Sequence, residues 1–135
     1  MADTKARERP LSPHLQIYRW PWPMAMSIAH RVTGVALYFG TVLVVWWLIA
    51  AGSGAGAYSR FSGFINSGFG RFILFGYTWA LIHHMLGGIR HLIWDAGYGF
   101  ETNEREWLSV ATLAGSVTLT VLLWVVGYLL IGDAR

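Results

Sequence analysis

Three long apolar runs, separated by two polar stretches, set the pattern of this chain. From Val32 to Ala51 no residue carries a formal charge. About 20 such residues are what a helix needs to cross the hydrocarbon of a bilayer. The pattern predicts spans at about residues 24–51, 69–94 and 107–131, and hence an all-α membrane protein with three transmembrane helices. The stretch from Gly52 to Gly70, rich in Gly, Ser and Ala with Arg60, reads as a loop. Asp95 to Glu106 reads as a second loop, holding Glu101, Glu104, Glu106 and Arg105. The third span has no charge and no histidine, so it reads as a packing and lipid-facing helix. Residues 1–23 form an N-terminal cytoplasmic or interfacial segment, and residues 24–135 the membrane domain. Ser12 is placed to cap a short helix with Pro13 at its first position. Trp20-Pro21-Trp22-Pro23 interrupts any helix, since the prolines cannot sit inside one.

Composition sharpens this picture. The chain is 55% hydrophobic and only 13% charged, which is too apolar for a soluble domain of 135 residues. It has no cysteine, which excludes disulfides, iron–sulfur ligation and covalent c-type haem on this chain. The net charge of +3 is small. Its basic residues Lys5, Arg7, Arg9 and Arg19 gather before the first span, with Arg105 in the second loop. Arg60, Arg71 and Arg135 lie toward the other side. The positive-inside rule puts the N-terminus and second loop in the cytoplasm or the mitochondrial matrix, and gives no reason to invoke nucleic acid. The long charged lead is unlike a signal peptide. Without an internal repeat, three spans make a poor transporter.

Candidate chemistry concentrates in His83 to Asp95. Ionisable groups at membrane depth face a bundle interior, a cofactor or a cavity. His84, Gly87, Gly88 and His91 fall at i, i+3, i+4 and i+7 and share one helical face. The glycines remove bulk beside His84, so a flat ligand fits against that backbone. Imidazole is an axial ligand of haem iron, and the reading is a b-type haem with His84 on the iron. Arg31, Arg90, His30 and His91 lie nearer the inner surface, where they serve haem propionates. For a second axial ligand, span one offers only His30, which sits nearer the interface than His84, and span three offers no histidine. That ligand is therefore expected from another chain. His83 points about 100° away from His84 and reads as structural, facing a partner or a hydrogen-bond acceptor. The bland alternative for His84 is a histidine bonded to a neighbouring helix.

Ser27 and Arg31, one turn apart, form a second constellation. A hydroxyl and a guanidinium together suit a quinone carbonyl, and the cation stabilises charge developing on its oxygen. The alternative is an arginine reaching to lipid headgroups, with Ser27 in a packing role. Trp20 and Trp22 line an apolar entrance or anchor the interface. His14 reads as a surface histidine, and Asp95 as a capping or partner-facing charge.

Three stretches carry a family resemblance: Arg9-Pro10-Leu11, Ser27-Ile28-Ala29-His30-Arg31-Val32-Thr33-Gly34, and His84-Met85-Leu86-Gly87-Gly88-Ile89-Arg90-His91-Leu92-Ile93-Trp94-Asp95-Ala96-Gly97. With Ser12-Pro13-His14-Leu15, they make the chain resemble the cytochrome b membrane-anchor subunits of succinate dehydrogenase, respiratory complex II. The resemblance implies a second small three-helix anchor that supplies the other axial histidine. One haem b then lies between the two anchors, so this chain forms half of a haem-binding bundle. It also implies an iron–sulfur subunit docked on the inner face, fed by a flavoprotein that oxidises succinate, with ubiquinone reduced near that surface. By motif position His84 is the axial ligand. Ser27 and Arg31, with Trp20 nearby, contact the quinone. His30, Arg31, His91 and Gly88 form the haem surroundings. The membrane is then the bacterial cytoplasmic or the mitochondrial inner membrane. Two other readings stay open: a quinol–fumarate reductase anchor running the chemistry backward, and a haem-free structural anchor.

Overall fold

A computed structural model of the chain describes residues 20–132. Ser12, Pro13 and His14, the basic residues before Trp20, and Arg135 lie outside the described residues.

Four helices follow one another: α1 (Trp22–Gly52), α2 (Ala55–Ile65), α3 (Gly68–Asp95) and α4 (Thr102–Gly132). Pro21 precedes α1 in an extended conformation and Pro23 sits in its first turn. There a missing N–H costs nothing, because the first-turn N–H groups have no helical partner. Pro21 thus flanks the helix and Pro23 lies within its first turn, so α1 begins two residues before the expected start at residue 24. Ser67 caps α3, its hydroxyl oxygen accepting from the Gly70 N–H at 3.1 Å. Ahead of α4 the Glu104 carboxylate reaches back to the Glu101 N–H at 3.2 Å, the reciprocal half of a capping box. α4 therefore begins before Trp107, and Glu104, Arg105 and Glu106 belong to its first turns rather than to a loop. The α3–α4 turn is residues 96–101, with Gly97 and Gly99 at positive φ.

The stretch read as a loop after α1 holds a helix instead. Tyr58, Phe61 and Phe64 recur every third residue of α2. Phe61 is buried edge-on against Trp46 at 5.1 Å between ring centroids, and Phe64 meets Trp46 and Phe69. The glycines around it supply the turns, while the aromatic rings dock the helix on α1.

α1, α3 and α4 are long and apolar enough to cross a membrane. At 1.5 Å per residue, the 31 residues of α1 span about 46 Å, more than the roughly 30 Å hydrocarbon. The packing is inverted relative to a soluble protein. Val35, Phe39 and Val42 of α1 and Leu122, Leu123 and Val126 of α4 are exposed. Thr33, His83, Arg90, Ser109, Thr112, Ser116 and Thr120 are buried, and among the described residues the buried hydrophobic side chains are only Met26, Ala50, Phe61 and Ala80. Lipid offers helices no hydrophobic drive to associate, so small and hydroxyl side chains make the seams.

α3 is the central strut, in contact with α1, α2 and α4. Its two seams differ in chemistry. Toward α4 it meets Ser109, Thr112, Ser116 and Thr120, spaced three, four and four residues apart along one face. Ser116 donates its hydroxyl proton to the Leu113 carbonyl at 2.8 Å. Its oxygen accepts from His83 Nδ1 at 3.1 Å, the acceptor expected for that histidine. Ser109 likewise donates to the Arg105 carbonyl and accepts from Arg90 at 3.4 Å. The third span is thus more than a packing and lipid-facing helix, since it supplies acceptors for both ionisable residues of this seam.

Candidate functional site

The seam of α3 with α1 holds the other histidines of the described residues, His30, His84 and His91. His30 and His84 lie face to face, ring centroids 3.9 Å apart and planes within 4°. His91 joins from below, 5.4 Å from His30 and edge-on to Trp94 at 5.1 Å. The 3.6-residue period explains the grouping. His84, Gly87 and His91 repeat along α3, and His30, Thr33 and Gly34 repeat along α1, so both stripes meet in one seam.

The two adjacent glycines of α3 have separate duties. A Cβ on Gly87 would run into the His30 ring, whereas one on Gly88 would meet nothing within 4 Å. Gly87 therefore admits His30, and Gly88 leaves an open flank beside it. A third glycine, Gly34, faces His84: a Cβ there would stand 3.0 Å from His84 Cε1. Gly87→Ala is expected to force the His30 ring aside and to cost about 1–3 kcal/mol of stability, the usual range for overpacking. Gly88→Ala leaves stability unchanged. Thermal unfolding of the detergent-solubilised protein checks the contrast, and equal midpoints for the two variants would refute it.

His84 is oriented by α1. Its Nδ1 lies 3.1 Å from the carbonyl oxygen of His30. A carbonyl oxygen only accepts, so Nδ1 carries the proton and Nε2 keeps its lone pair. The Thr33 hydroxyl, 2% exposed, stands 3.4 Å from the same Nδ1. His30 Nδ1 is buried and without a hydrogen-bond partner among the described residues. A buried nitrogen in that state carries the full cost of its lost hydration.

Arg90 does not join this cluster. It is 2% exposed and lies between α3 and α4, bonded to Ser109 and stacked over the Trp94 ring at 5.2 Å. Six residues beyond His84, it points about 240° around the helix. The expectation that it serves haem propionates is corrected on that ground. Trp94 in turn donates to the Gly99 carbonyl at 3.1 Å, so the stacked arginine braces the α3–α4 turn.

Ser27 and Arg31 lie on α1 one turn apart, Ser27 half-buried and Arg31 exposed. Trp20 and Trp22 are exposed, Trp20 by 64%. The structure brings His30, His84 and His91 together, with Gly88 facing open space, and among the described residues no hydrogen bond or ring contact draws Ser27, Arg31 or Trp20 into that group. Thr33 and Gly34 complete the cluster; Gly34 shares the stripe of Ser27, His30 and Arg31 in the sequence, whereas Thr33 is not singled out by sequence reasoning. Their signal is the spacing: both fall on the His30 stripe.

Comparison with known proteins agrees with the resemblance. A family model described as the succinate dehydrogenase/fumarate reductase transmembrane subunit matches residues 5–123. The chain is 48% identical to the succinate dehydrogenase cytochrome b556 subunit of Paracoccus denitrificans, over 93% of this chain and 97% of that protein. It is 38% identical to the protein of that name in Rickettsia felis, over 87% of this chain and 92% of the relative. It is also 38% identical to the mitochondrial succinate dehydrogenase cytochrome b560 subunit of Bos taurus, over 84% of this chain and 68% of the relative.

Proposed function

The chain belongs to the succinate dehydrogenase/fumarate reductase transmembrane subunit family, and from that premise we propose that it binds one haem b and a quinone as an anchor subunit of succinate dehydrogenase. Its partners are a flavoprotein, an iron–sulfur subunit and a second small anchor. The complex sits in a bacterial cytoplasmic or mitochondrial inner membrane, with the N-terminus on the cytoplasmic or matrix side. Electrons from succinate pass through the partner subunits to ubiquinone. The relatives' names favour succinate oxidation over fumarate reduction.

One observation carries the haem assignment: the His30 carbonyl holds the Nδ1 proton of His84. Histidines that ligate metals characteristically donate their other N–H to a carbonyl or carboxylate, which fixes the ring and raises its basicity. The residues present fit the group. His84 Nε2 has its lone pair, Gly88 leaves open flank beside the cluster, and the buried His30 Nδ1 lacks a partner that a carboxylate or water would supply. His84 would hold the iron, and the partner anchor would supply a further ligand to it. His30, His91 and Arg31 would serve the propionate side. Haem b bound there supplies a one-electron store. This chain's residues hold and orient, and they keep water from the ligand.

At the quinone, the Ser27 hydroxyl and Arg31 guanidinium are assigned to hydrogen-bond the carbonyl oxygens, with Trp20 beside them. Reduction takes two electrons from the partner subunits and two protons from the inner side. The exposed Arg31 stabilises negative charge as it develops on oxygen.

A reduced-minus-oxidised visible spectrum of the complex, purified through a tag on this chain, tests the reading. Sharp b-type bands are expected. A featureless spectrum from an intact multi-subunit preparation would leave a haem-free anchor, with His84 as a packing residue.

A further inference from the structure

We infer that Thr33 is a positioning residue for His84: its hydroxyl is a second acceptor for the His84 Nδ1–H and thereby tunes the redox potential of the haem. The inference rests on the haem reading above and extends it to a residue that does not touch the iron.

Thr33 is 2% exposed and packs where α1 crosses α3. Its Oγ1 stands 2.9 Å from the carbonyl oxygens of both Ala29 and His30. A hydroxyl has one proton for the two. The His30 carbonyl has two lone pairs. One takes the i+4 helical N–H, and the other faces His84 Nδ1 at 3.1 Å. The Ala29 carbonyl has only its helical partner, so the Thr33 proton goes there, as mid-helix threonines commonly bond back one turn. That choice leaves a lone pair of Oγ1 facing His84 Nδ1 at 3.4 Å. The imidazole N–H is therefore shared between a carbonyl, the shorter arm, and a hydroxyl, the longer one.

The cradle acts in two ways. It resists rotation of the ring about its axis, because both acceptors belong to one turn of α1. It also draws the Nδ1 proton outward, which makes the imidazole a stronger donor through Nε2. A stronger donor favours ferric over ferrous iron, and acceptors on a ligating histidine are among the levers that set haem potential. Removing the hydroxyl at constant shape should then raise the potential. Thr→Val does this, exchanging a hydroxyl for a methyl on the same branched carbon.

The experiment is a redox titration of the b-type band in the whole complex carrying Thr33→Val or Thr33→Ser. At the poise where wild-type haem is half reduced, the Val variant is expected to be more than half reduced, and the Ser variant to match wild type. Loss of haem from assembled Val complex with full haem in Ser also supports the inference. Equal midpoints for Val and wild type overturn it. So does a fall in potential, and so does a Ser variant that shifts as Val does, which would make the methyl the active part. If Val does not assemble, Thr33→Ala is set against Thr33→Ser, which differ only by the hydroxyl, and equal midpoints again overturn it. A wild-type complex without b-type bands fails the haem reading and this inference with it, whereas equal midpoints fail the inference alone.

Discussion

Replacing His84 by leucine is expected to abolish the b-type bands of the assembled complex while leaving the three-span anchor in the membrane. Leucine has similar bulk and suits a half-buried site facing α1, so the seam survives the loss of the ring. What vanishes is the one nitrogen whose lone pair is freed by a backbone carbonyl. His83 cannot substitute. It is 1% exposed in the opposite seam, and its Nδ1–H is committed to Ser116. His30 is close, with its ring stacked on His84, but it is rooted on α1 and packed onto Gly87. The measurement is haem content and visible spectrum per mole of assembled complex. A normal spectrum from the variant would remove His84 from the iron.

Replacing Arg31 by alanine is expected to lower succinate-driven quinone reduction roughly 10- to 100-fold. That is the range for one lost charge-assisted hydrogen bond of about 1.5–3 kcal/mol. Succinate oxidation by an artificial dye, which bypasses the quinone, should hold at the wild-type rate. The separation follows from location. Arg31 is exposed near the start of α1 and makes no hydrogen bond among the described residues, so its loss removes none from the described fold. An equal fall in both activities would mean that Arg31 serves assembly and not the quinone.

The spans and the shared face of His84, Gly87 and His91 were legible because each follows from a single helix. A charge-free run of about 20 residues and a three/four spacing of histidines need no knowledge of a neighbour. What escaped were properties that two helices make jointly. Arg90 reads as an interfacial cation when α3 is taken alone. Its burial follows only once Ser109 of α4 is set opposite it. The hydroxyl stripe of α4 is visible in the spacing of residues 109, 112, 116 and 120, yet serine and threonine are ordinary in membrane helices and carry no label saying what they face. The helix α2 was hidden by its glycines and serines, which mark turns, while its three aromatic residues at equal spacing pointed the other way. Thr33 was silent for the simplest reason. Its role rests on a carbonyl of its own helix and a ring from another, and neither is written at position 33.

The buried polar groups of α3 depend for their acceptors on the helix that follows it. Each buried hydroxyl of α4 donates to a carbonyl of α4 itself: Ser109 to Arg105, Thr112 to Leu108, Ser116 to Leu113, Thr120 to Ser116. To the insertion machinery α4 is therefore an ordinary apolar segment, its polar atoms already served. α3 is the least apolar of the three spans and carries His83 and Arg90. A lone arginine costs up to about 2.5–3.5 kcal/mol at the centre of an inserting helix, less toward its end. During synthesis α3 emerges first, with no acceptor for either side chain. Relief comes only after the six residues 96–101 have turned and α4 has threaded back alongside. The unit in which both side chains are satisfied is then the α3–α4 hairpin, and neither helix completes it alone.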